Sequence, residues 1–450
     1  MLRIVSLVAV LLVAGFVRLD GLGTPHTYVA DEGFYARDGC SYVLHSPSRC
    51  GVSGDTTPEH PPLGKWLIGL GIKLDGFNPT GWRIASAIAG IATVGLLFLL
   101  ALRLLASTAA AALAAALLAL EPLHVVQSRI ATLDVFVTLF GVGAVLFWLL
   151  DRDSASTRLL PIWRLAAGVA CGAAVASKWS GVFVLVAVVV LTLLDQRSRV
   201  VRALPSNAIC LGLVPLIVYC LTYAGRLHGK LLAAPWAHDS LVRALIHRTH
   251  AMWSDQTGHF ATSAYQSPAW SWPLLQRPVV HYASVSSGEF HEILAVGSPL
   301  IWWPGFVAAA VAAAVAIRGR GRDVAAVTVA VCVAVTYLPW LVLGHGRSFV
   351  FLYYMTPVVP FLCLAVGWVH TRLRHRLQLL APALAVASVL LLGFWWPILT
   401  AQPISAGSWD SRVVFDGCRA NDHPQHLPGG GLQAWVRLLH GPPQHGWCWV

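Results

Sequence analysis

The sequence is poor in charged residues. Asp, Glu, Lys and Arg make up only 11% of its 450 residues, whereas a soluble globular chain has roughly 25%. This shortage excludes an ordinary soluble enzyme, a disordered chain and a free-standing nucleic-acid-binding protein. Acidic residues are the scarcer kind, and the formal net charge is +11. No basic stretch is interleaved with aromatic residues that could stack on bases, so nucleic acid is not an expected partner.

In place of charge the sequence has long apolar runs. The hydrophobic fraction is 57% and the mean hydropathy is +0.67. A helix that spans a bilayer needs roughly 20 apolar residues, so the runs predict an all-α polytopic membrane protein with about eleven transmembrane helices and long outer loops. The predicted spans are 3–19, 84–106, 108–126, 131–150, 163–177, 179–195, 207–224, 297–317, 324–344, 349–369 and 377–397.

The spans divide the chain into four regions. An N-terminal transmembrane catalytic module is predicted over 1–225, an outer loop over 226–296, a C-terminal transmembrane module over 297–397 and an outer tail over 398–450. Within the first outer loop (20–80), residues 64–74 are too short to cross a membrane. They are predicted to form an interfacial helix anchored by Trp66.

Arginine fixes the expected orientation. Short loops rich in Lys and Arg stay in the cytoplasm, and one set of short connections collects most of the arginines. With the N-terminus in the cytoplasm, that inner set comprises Arg3, Arg103, Arg152, Arg158, Arg164, Arg197, Arg199, Arg202, Arg318, Arg320, Arg322, Arg372, Arg374 and Arg376. The three long segments 20–80, 225–296 and 398–450 then lie outside.

The nine cysteines agree with this topology. Five lie in apolar spans, where cysteine behaves as a small hydrophobic residue. The other four form two local pairs on the outer side, and an oxidising compartment would allow both disulfides. The predicted bridges are Cys40–Cys50 and Cys418–Cys448. Neither the cysteines nor the histidines of 225–296 have the spacing of a zinc site, so no metal site is predicted.

Two acidic residues and a histidine in the first outer loop are candidates for acid–base chemistry. Asp31 and Glu32 are adjacent carboxylates between aromatic residues, and a carboxylate near an apolar, basic surface can act as a general base. The alternative is a solvated acidic turn. His60, in EHPPLGKW, is a candidate acid, and the alternative for this segment is a rigid proline lead-in to a helix.

Several basic residues fall at the outer ends of the spans, where they could bind a phosphate. Asp134 lies within a predicted span, where an ionisable residue is costly and functional by default. The alternative is that the basic residues are ordinary interfacial anchors. A cluster of cations beside a carboxylate pair suits an anionic lipid headgroup. The cluster comprises Arg18, Arg83, Arg129, Lys178 and Arg347, with Tyr354 shortly after Arg347.

These pieces occur in an order that resembles the protein O-mannosyltransferases, which have the membrane fold called GT-C. The matching segments are the Asp31–Glu32 pair, HPPLGKW, GWRIASAIAG, SRIATLDVFVTLF, SKWSG, SPAWSWP, GSPLIWWPG and FLYYMTPVVPFLCLAVG. The resemblance implies that Asp31 is the catalytic base and Glu32 its essential acidic neighbour. It also implies that Arg83, Arg18 and Lys178 lie near the donor phosphate. Arg129, Arg347 and Tyr354 are expected there from topology.

The resemblance implies an inverting transfer of mannose from polyprenyl-phosphate-mannose to Ser or Thr hydroxyls of exported proteins. No cofactor is expected. The expected setting is the cell membrane with the active site outside, and the protein export machinery is an expected partner. Eukaryotic members insert a sugar-binding-like domain into the loop that here spans 225–296, and this loop is too short for it, as fits a bacterial member. An insertion, HSPSRCGVSGDTTPE, leaves the acceptor open.

Three other functions stay open at this point. A transferase of the same fold could modify a lipid or a cell-wall glycan instead of a protein. A transporter would place its polar groups near the bilayer midplane and often has repeated halves, and the sequence indicates neither feature. A structural membrane anchor would need a larger outer domain than any outer segment here provides.

Overall fold

The computed structural model is predominantly helical. It describes residues 1–44, 50–51, 57, 59–154, 158–197, 200–224, 226–227, 232–233, 236, 239–257, 263, 265–344 and 350–413. The helices of the first half are α1 (Leu2–Leu19), α2 (Glu32–Leu44), α3 (Pro62–Asp75), α4 (Pro79–Leu105), α5 (Thr108–Leu120), α6 (Pro122–Arg129), α7 (Asp134–Ser154), α8 (Ile162–Ser177), α9 (Gly181–Asp195), α10 (Val200–Asn207) and α11 (Val214–Leu221).

The second half adds helices and two short hairpins. A π-helical turn, Ala208–Leu213, joins α10 to α11, and 3-10 helices cover Ala269–Leu274 and Leu352–Met355. The remaining elements are β1 (Arg226–Leu227), β2 (Leu232–Ala233), α12 (Leu241–Thr257), β3 (Val279–Ser286), β4 (Glu289–Ala295), α13 (Pro299–Arg318), α14 (Val324–Leu343), α15 (Val359–His370), α16 (His375–Gln378), α17 (Leu380–Thr400) and α18 (Ala406–Asp410).

The helices make this a multi-pass membrane protein. Among the described residues, seven helices are long and apolar enough to cross a bilayer, or eight if the bent pair α5–α6 is one span. The other three predicted spans coincide with the shorter apolar helices α8, α9 and α15. The predicted division near Lys178 is confirmed, because α8 ends at Ser177 and α9 begins at Gly181.

One predicted span is broken. The sequence predicts a continuous helix over 108–126, but α5 and α6 meet at an angle of 58°. The break falls at Glu121, which precedes Pro122; proline has no N–H to donate, and it disfavours helical geometry in the residue before it. The Glu121 carboxylate accepts hydrogen bonds from the backbone N–H of His124 (2.7 Å) and Ser298 (3.1 Å) and from Trp302 Nε1 (3.0 Å). The bend is thereby tied to the start of α13.

Trp66 does not anchor α3 at a membrane surface as predicted. Trp66 is only 4% exposed and packs in an apolar cluster with Tyr35, Tyr42 and Trp236 instead of anchoring at the membrane surface. The backbones of α2 and α3 pack closely, since a Cβ on Gly39 would lie 2.8 Å from the carbonyl oxygen of Lys65. Most of the helix is therefore covered by protein, and only its last turn is exposed.

A β-hairpin that the sequence analysis missed supports the first outer loop. Strands β3 and β4 pair antiparallel across a turn at Ser287 and Gly288, and both turn residues have positive φ (54° and 82°). That is the geometry of the tightest hairpin turns. The hairpin contributes to the main hydrophobic core, which also contains residues of α1, α5, α7, α14 and α15. The division into four regions stays a prediction.

One predicted disulfide is confirmed. Cys40 and Cys50 are bridged, with a Cα–Cα distance of 5.7 Å. The bridge joins the end of α2 to the inserted segment that follows it. Cys418 and Cys448 lie outside the described residues.

Candidate active site

The centre of the first outer loop is a buried ion pair between Glu32 and Arg83. Both side chains are 0% exposed. Arg83 Nε donates to Glu32 Oε1 and Nη2 donates to Oε2, each at 2.8 Å. The same carboxylate accepts the backbone N–H groups of Val29 (3.0 Å) and Ala131 (2.9 Å). Glu32 therefore holds three chain segments together and has no oxygen left for a substrate.

The described partners of Arg83 all lie within the protein, and its role at the donor phosphate stays a prediction. Its remaining N–H groups donate to the carbonyl oxygens of Leu22 (3.1 Å), Pro25 (3.1 Å) and Thr27 (2.9 Å). An arginine has five N–H donors, and here all five are used within the protein. The guanidinium shapes the loop from Leu22 to Glu32.

The loop ends in a left-handed residue directly before Asp31. Ala30 has φ of 46°, a conformation that costs a non-glycine residue about 1–3 kcal/mol and tends to occur at functional sites. Its N–H donates to the carbonyl oxygen of His281 on β3 (3.1 Å). The Asp31 carbonyl then accepts the N–H groups of Phe34 and Tyr35 at the start of α2. This turn sends the side chains of Asp31 and Glu32 into different surroundings.

Asp31 is only partly buried, unlike Glu32. Burial raises the pKa of the Asp31 carboxyl above its ordinary value, the positive charge of Lys178 opposes this shift, and the negative charge of Asp134 adds to it. The Tyr35 hydroxyl donates a hydrogen bond to the carboxyl. Asp31 is thus a reachable carboxylate with increased basicity, next to a cation.

That cation, Lys178, lies between α8 and α9. Its Nζ donates to Asp134 Oδ2 at 2.8 Å and lies 4.5 Å from the ring centroid of Tyr354. Asp134 is the first residue of α7, where the helix dipole favours a carboxylate. A lysine has three N–H donors, and Asp134 is its hydrogen-bond partner among the described residues. Asp31, Asp134, Lys178 and Tyr354 are therefore brought together, as the sequence predicted.

Arg18 is not in that cluster. It is 0% exposed, and its guanidinium donates to the carbonyl oxygens of Leu118 (3.4 Å) and Ala119 (3.2 Å) and to His124 Nδ1 (2.8 Å). The last carbonyls of a helix have no partner within the helix, so Arg18 caps α5 where the span breaks. Its described partners all lie within the protein, and its contact with the donor phosphate stays a prediction.

The remaining predicted residues have separate positions. Arg129 is the last residue of α6; its Nη1 donates to the Val17 carbonyl (2.9 Å), and the guanidinium lies over the Trp396 ring. The His60 ring lies 5.9 Å from the Tyr35 ring, centroid to centroid. Arg347 lies outside the described residues.

Sequence reasoning missed three polar contacts around the site. Tyr35, the partner of Asp31, follows the carboxylate pair at helical spacing, which is a signal that could have found it. Lys65 of HPPLGKW forms a buried ion pair with Asp38 at 2.9 Å. Burial lowers the pKa of His281 to about 3, and its neutral ring meets Gln127 Nε2 at 2.9 Å. The last two contacts join residues too distant in sequence for any local signal.

The described residues contain no group of three His, Cys, Asp or Glu side chains arranged to hold a metal ion. The polar groups that do converge are a carboxylate, a lysine and tyrosines. They can take up a proton, hold an anion and donate hydrogen bonds.

Comparison with known sequences identifies relatives over nearly the whole chain. The family described as dolichyl-phosphate-mannose-protein mannosyltransferase matches residues 80–232. A polyprenol-phosphate-mannose–protein mannosyltransferase of Mycolicibacterium smegmatis is 30% identical, over 90% of this chain and 91% of its own. The protein of the same name from Mycobacterium tuberculosis is 29% identical over 90% of both chains.

Comparison with solved structures gives the same fold. The chain is similar to the Saccharomyces cerevisiae protein O-mannosyltransferase Pmt1–Pmt2 complex bound to the sugar donor, with a TM-score of 0.74, 14% identity and coverage of 98% of this chain and 96% of that one. It is also similar to ArnT from Cupriavidus metallidurans bound to undecaprenyl phosphate, with a TM-score of 0.58, 22% identity and coverage of 87% and 65%. The fold is that of the GT-C membrane glycosyltransferases.

The buried pair predicts a large loss of stability when either partner is removed. Arg83→Ala and Glu32→Ala should each lower the free energy of unfolding by about 3–5 kcal/mol, because each leaves a buried charge without its partner. The double variant should lose less than the sum of the two. Reversible unfolding in mixed micelles measures all three values.

The matched control is Arg103→Ala. Arg103 pairs with Asp153 at 2.7 Å, but the two side chains are 50% and 27% exposed, so the loss should be about 0–1 kcal/mol. A loss for Arg83→Ala no larger than that for Arg103→Ala would contradict the assigned role.

Proposed function

The chain belongs to the family of polyprenol-phosphate-mannose–protein mannosyltransferases, and we propose that it transfers mannose from polyprenol-phosphate-mannose to a Ser or Thr hydroxyl of a protein acceptor. The observation that carries this proposal is the pairing of a reachable, basic carboxylate with a lysine beside it. Asp31 and Lys178 interact electrostatically although 147 positions separate them in the sequence. A base and an anion-binding cation within one site are what displacement of a lipid phosphate by a hydroxyl needs.

Asp31 acts as the general base. The acceptor hydroxyl gives its proton to the Asp31 carboxylate while its oxygen forms a bond to the anomeric carbon of mannose. The bond from that carbon to the phosphate oxygen breaks, and the lipid phosphate leaves with the electron pair. One displacement inverts the anomeric centre, so a β-linked donor gives an α-linked product. The step as written uses no cofactor.

The choice of Asp31 over Glu32 follows from their contacts. Glu32 is 0% exposed and accepts four hydrogen bonds from Arg83, Val29 and Ala131. These partners occupy both carboxylate oxygens, so neither oxygen is placed to accept a proton from a substrate hydroxyl. Asp31 is partly exposed, and burial raises its pKa. Glu32 is therefore a positioning residue, which holds the backbone on which Asp31 turns.

Lys178 stabilises the leaving phosphate. Nζ keeps Asp134 as one partner at 2.8 Å, which leaves N–H donors for a phosphate oxygen. Fixed donors aimed at developing charge contribute roughly 3–4 kcal/mol each in other enzymes. Arg129 is the second candidate, because one described hydrogen bond, to Val17, uses only part of its guanidinium. The Tyr354 ring beneath Lys178 holds the ammonium in place.

The protein works in the cell membrane with the N-terminus in the cytoplasm and the active site outside. The asymmetry of arginine between the two sets of loops supports this orientation. The disulfide between Cys40 and Cys50 fits an oxidising compartment on the Asp31 side. Acceptors would then be exported proteins, so the export machinery is the expected partner that supplies them.

Substitution of Asp31 tests the base. Asp31→Asn keeps the size of the side chain but removes its basicity, so mannose transfer should fall at least ~100-fold while donor binding stays near normal. Purified variants are given labelled polyprenol-phosphate-mannose and a Ser/Thr peptide, and mannosyl peptide and donor affinity are both measured.

Asp75→Asn is the matched control, because Asp75 is exposed at the end of α3 in the same outer loop; it should keep at least about half of the activity. Near-normal turnover in Asp31→Asn would exclude Asp31 as the base. Mannose transferred to a lipid and never to the peptide would leave the base assignment standing and replace the protein acceptor.

The rate should depend on pH through Asp31. The base works only when deprotonated, so activity is lost as the pH falls through its pKa, and burial places that pKa above the ordinary range of aspartate. Lys178→Met removes the positive charge that lowers the pKa of Asp31. It also leaves Asp134 without its ion-pair partner, and the negative charge of Asp134 raises the pKa of Asp31. The acid limb of the pH–rate profile should therefore move to higher pH. Lys73→Met is the control, and an unmoved limb in Lys178→Met would contradict the pairing.

The orientation is tested by cysteine labelling. In intact cells a membrane-impermeant maleimide should label Phe34→Cys, which is 51% exposed on the Asp31 side, but not Ser154→Cys at the opposite end of α7. The five free cysteines among the described residues are buried or partly buried, and the unaltered protein measures the background labelling of the whole chain. Labelling of Ser154→Cys before lysis would reverse the orientation.

A further inference from the structure

A cavity between the helices lies away from Asp31. Its volume is about 640 Å³, within the usual range for ligand sites. Four helices form its walls: Trp148 is on α7, Leu191 on α9, Ala313 on α13 and Val331 on α14. The wall residues on these helices are mostly Ala, Val and Leu, so the interior is apolar.

Connectivity places this cavity at the opposite end of the spans from the candidate active site. Helix α7 begins at Asp134, which binds Lys178 of the active site, and it ends beyond Arg152, which lines the cavity. The α7 helix has 21 residues, enough to cross a bilayer. The cavity therefore opens at the arginine-rich end, which is the cytoplasmic end in the orientation proposed above.

The rim of the cavity is strongly basic. Arg152, Arg197, Arg320 and Arg322 line it with a single acidic residue, Asp195. Arg152 is paired with Asp195 at 2.8 Å, and Arg197 donates to the carbonyl oxygen of Arg320 at 3.1 Å. In the described part of the chain, no carboxylate lies within ion-pair distance of Arg320 or Arg322. These two exposed guanidinium groups are available to an anion.

The apolar interior is long and reaches lipid. It follows α14 from Val324 to Val335, which is roughly 16 Å at the rise of an α-helix. Two of its lining side chains, Leu194 and Ile317, are 49% and 78% exposed, so the cavity is not closed off from the surrounding hydrocarbon. A soluble anion would use the rim and leave this crevice empty.

We propose that this cavity is a binding site for an anionic phospholipid, with the phosphate at Arg320 and Arg322 and an acyl chain between α9, α13 and α14. Basic pockets between transmembrane helices on the cytoplasmic side bind anionic headgroups in other membrane proteins. The charge of the rim selects the headgroup, and the length of the apolar crevice selects a lipid over free phosphate. The site holds structural lipid, separate from the donor site.

The test uses purified full-length protein in neutral detergent with three probes: dioleoyl-phosphatidylglycerol, dioleoyl-phosphatidylcholine and inorganic phosphate. A lipid that binds only the folded state raises the unfolding temperature in a concentration-dependent way. Phosphatidylglycerol should raise it and should appear as a bound adduct in native mass spectrometry. The other two probes should do neither.

Two variants test the two parts of the site. The double variant Arg320→Gln/Arg322→Gln should weaken phosphatidylglycerol binding roughly 10- to 30-fold, since each basic residue near an anionic lipid contributes about one kcal/mol. Ala334→Phe keeps every charge but fills the inner part of the crevice, and it should weaken binding as well. Mannosyl transfer to peptide is measured in parallel to show that each variant is folded.

The matched control removes the same charge elsewhere. Arg318 and Arg374 are exposed at the same end of the helices but do not line the cavity, so Arg318→Gln/Arg374→Gln should bind phosphatidylglycerol like the unaltered protein. An equal loss in this control would mean diffuse surface charge and would overturn the proposal. Equal stabilisation by inorganic phosphate or by phosphatidylcholine, or unchanged binding in Ala334→Phe, would also overturn it.

Discussion

The outer half of this protein depends on one buried ion pair. Glu32 and Arg83 are both fully buried, and charges in such surroundings are tolerated only when every donor and acceptor is matched. The match is achieved by bringing the carbonyls of Leu22, Pro25 and Thr27 to one guanidinium. These contacts hold the loop between α1 and α4 in place. The position of Asp31 relative to Lys178 is a consequence of that constraint.

Two adjacent carboxylates obtain different roles from their surroundings alone. Glu32 accepts hydrogen bonds on both oxygens from Arg83 and from two backbone N–H groups, so its role is structural. The left-handed Ala30 directs Asp31 away from the surroundings of Glu32. Asp31 interacts with Tyr35 and Lys178 and is partly exposed to solvent. Different surroundings commonly give two neighbouring carboxylates different acid–base roles within one site. Here the backbone turn at Ala30 places the two side chains in different surroundings.

The sequence predicts the positions of the spans well, because apolar length is a local property. It also predicts Asp31, Asp134, Lys178 and Tyr354 as functional candidates, since polar groups at span ends are conspicuous. It does not predict the contacts of Arg83 and Arg18, because nothing local indicates how many carbonyl oxygens the fold brings to a guanidinium. Arg18 donates to the last carbonyls of α5, which lie a hundred residues away in the sequence. The helix break at that point follows from Pro122. The β3–β4 hairpin, with Ser287–Gly288, was within reach of turn rules and was missed.

The two ends of the helices use arginine in opposite ways. At the Asp31 end Arg18 and Arg83 are fully buried and donate to carbonyls, a carboxylate and a histidine, so they build the structure, and Lys178 is the residue proposed to bind the anion. At the other end Arg320 and Arg322 are exposed on the rim of an apolar crevice. A buried arginine needs internal acceptors to exist at all, whereas an exposed one beside apolar surface attracts an external anion. The number of internal acceptors around each guanidinium therefore gives a criterion, beyond its place at a span end, for separating structural arginines from candidate binding ones.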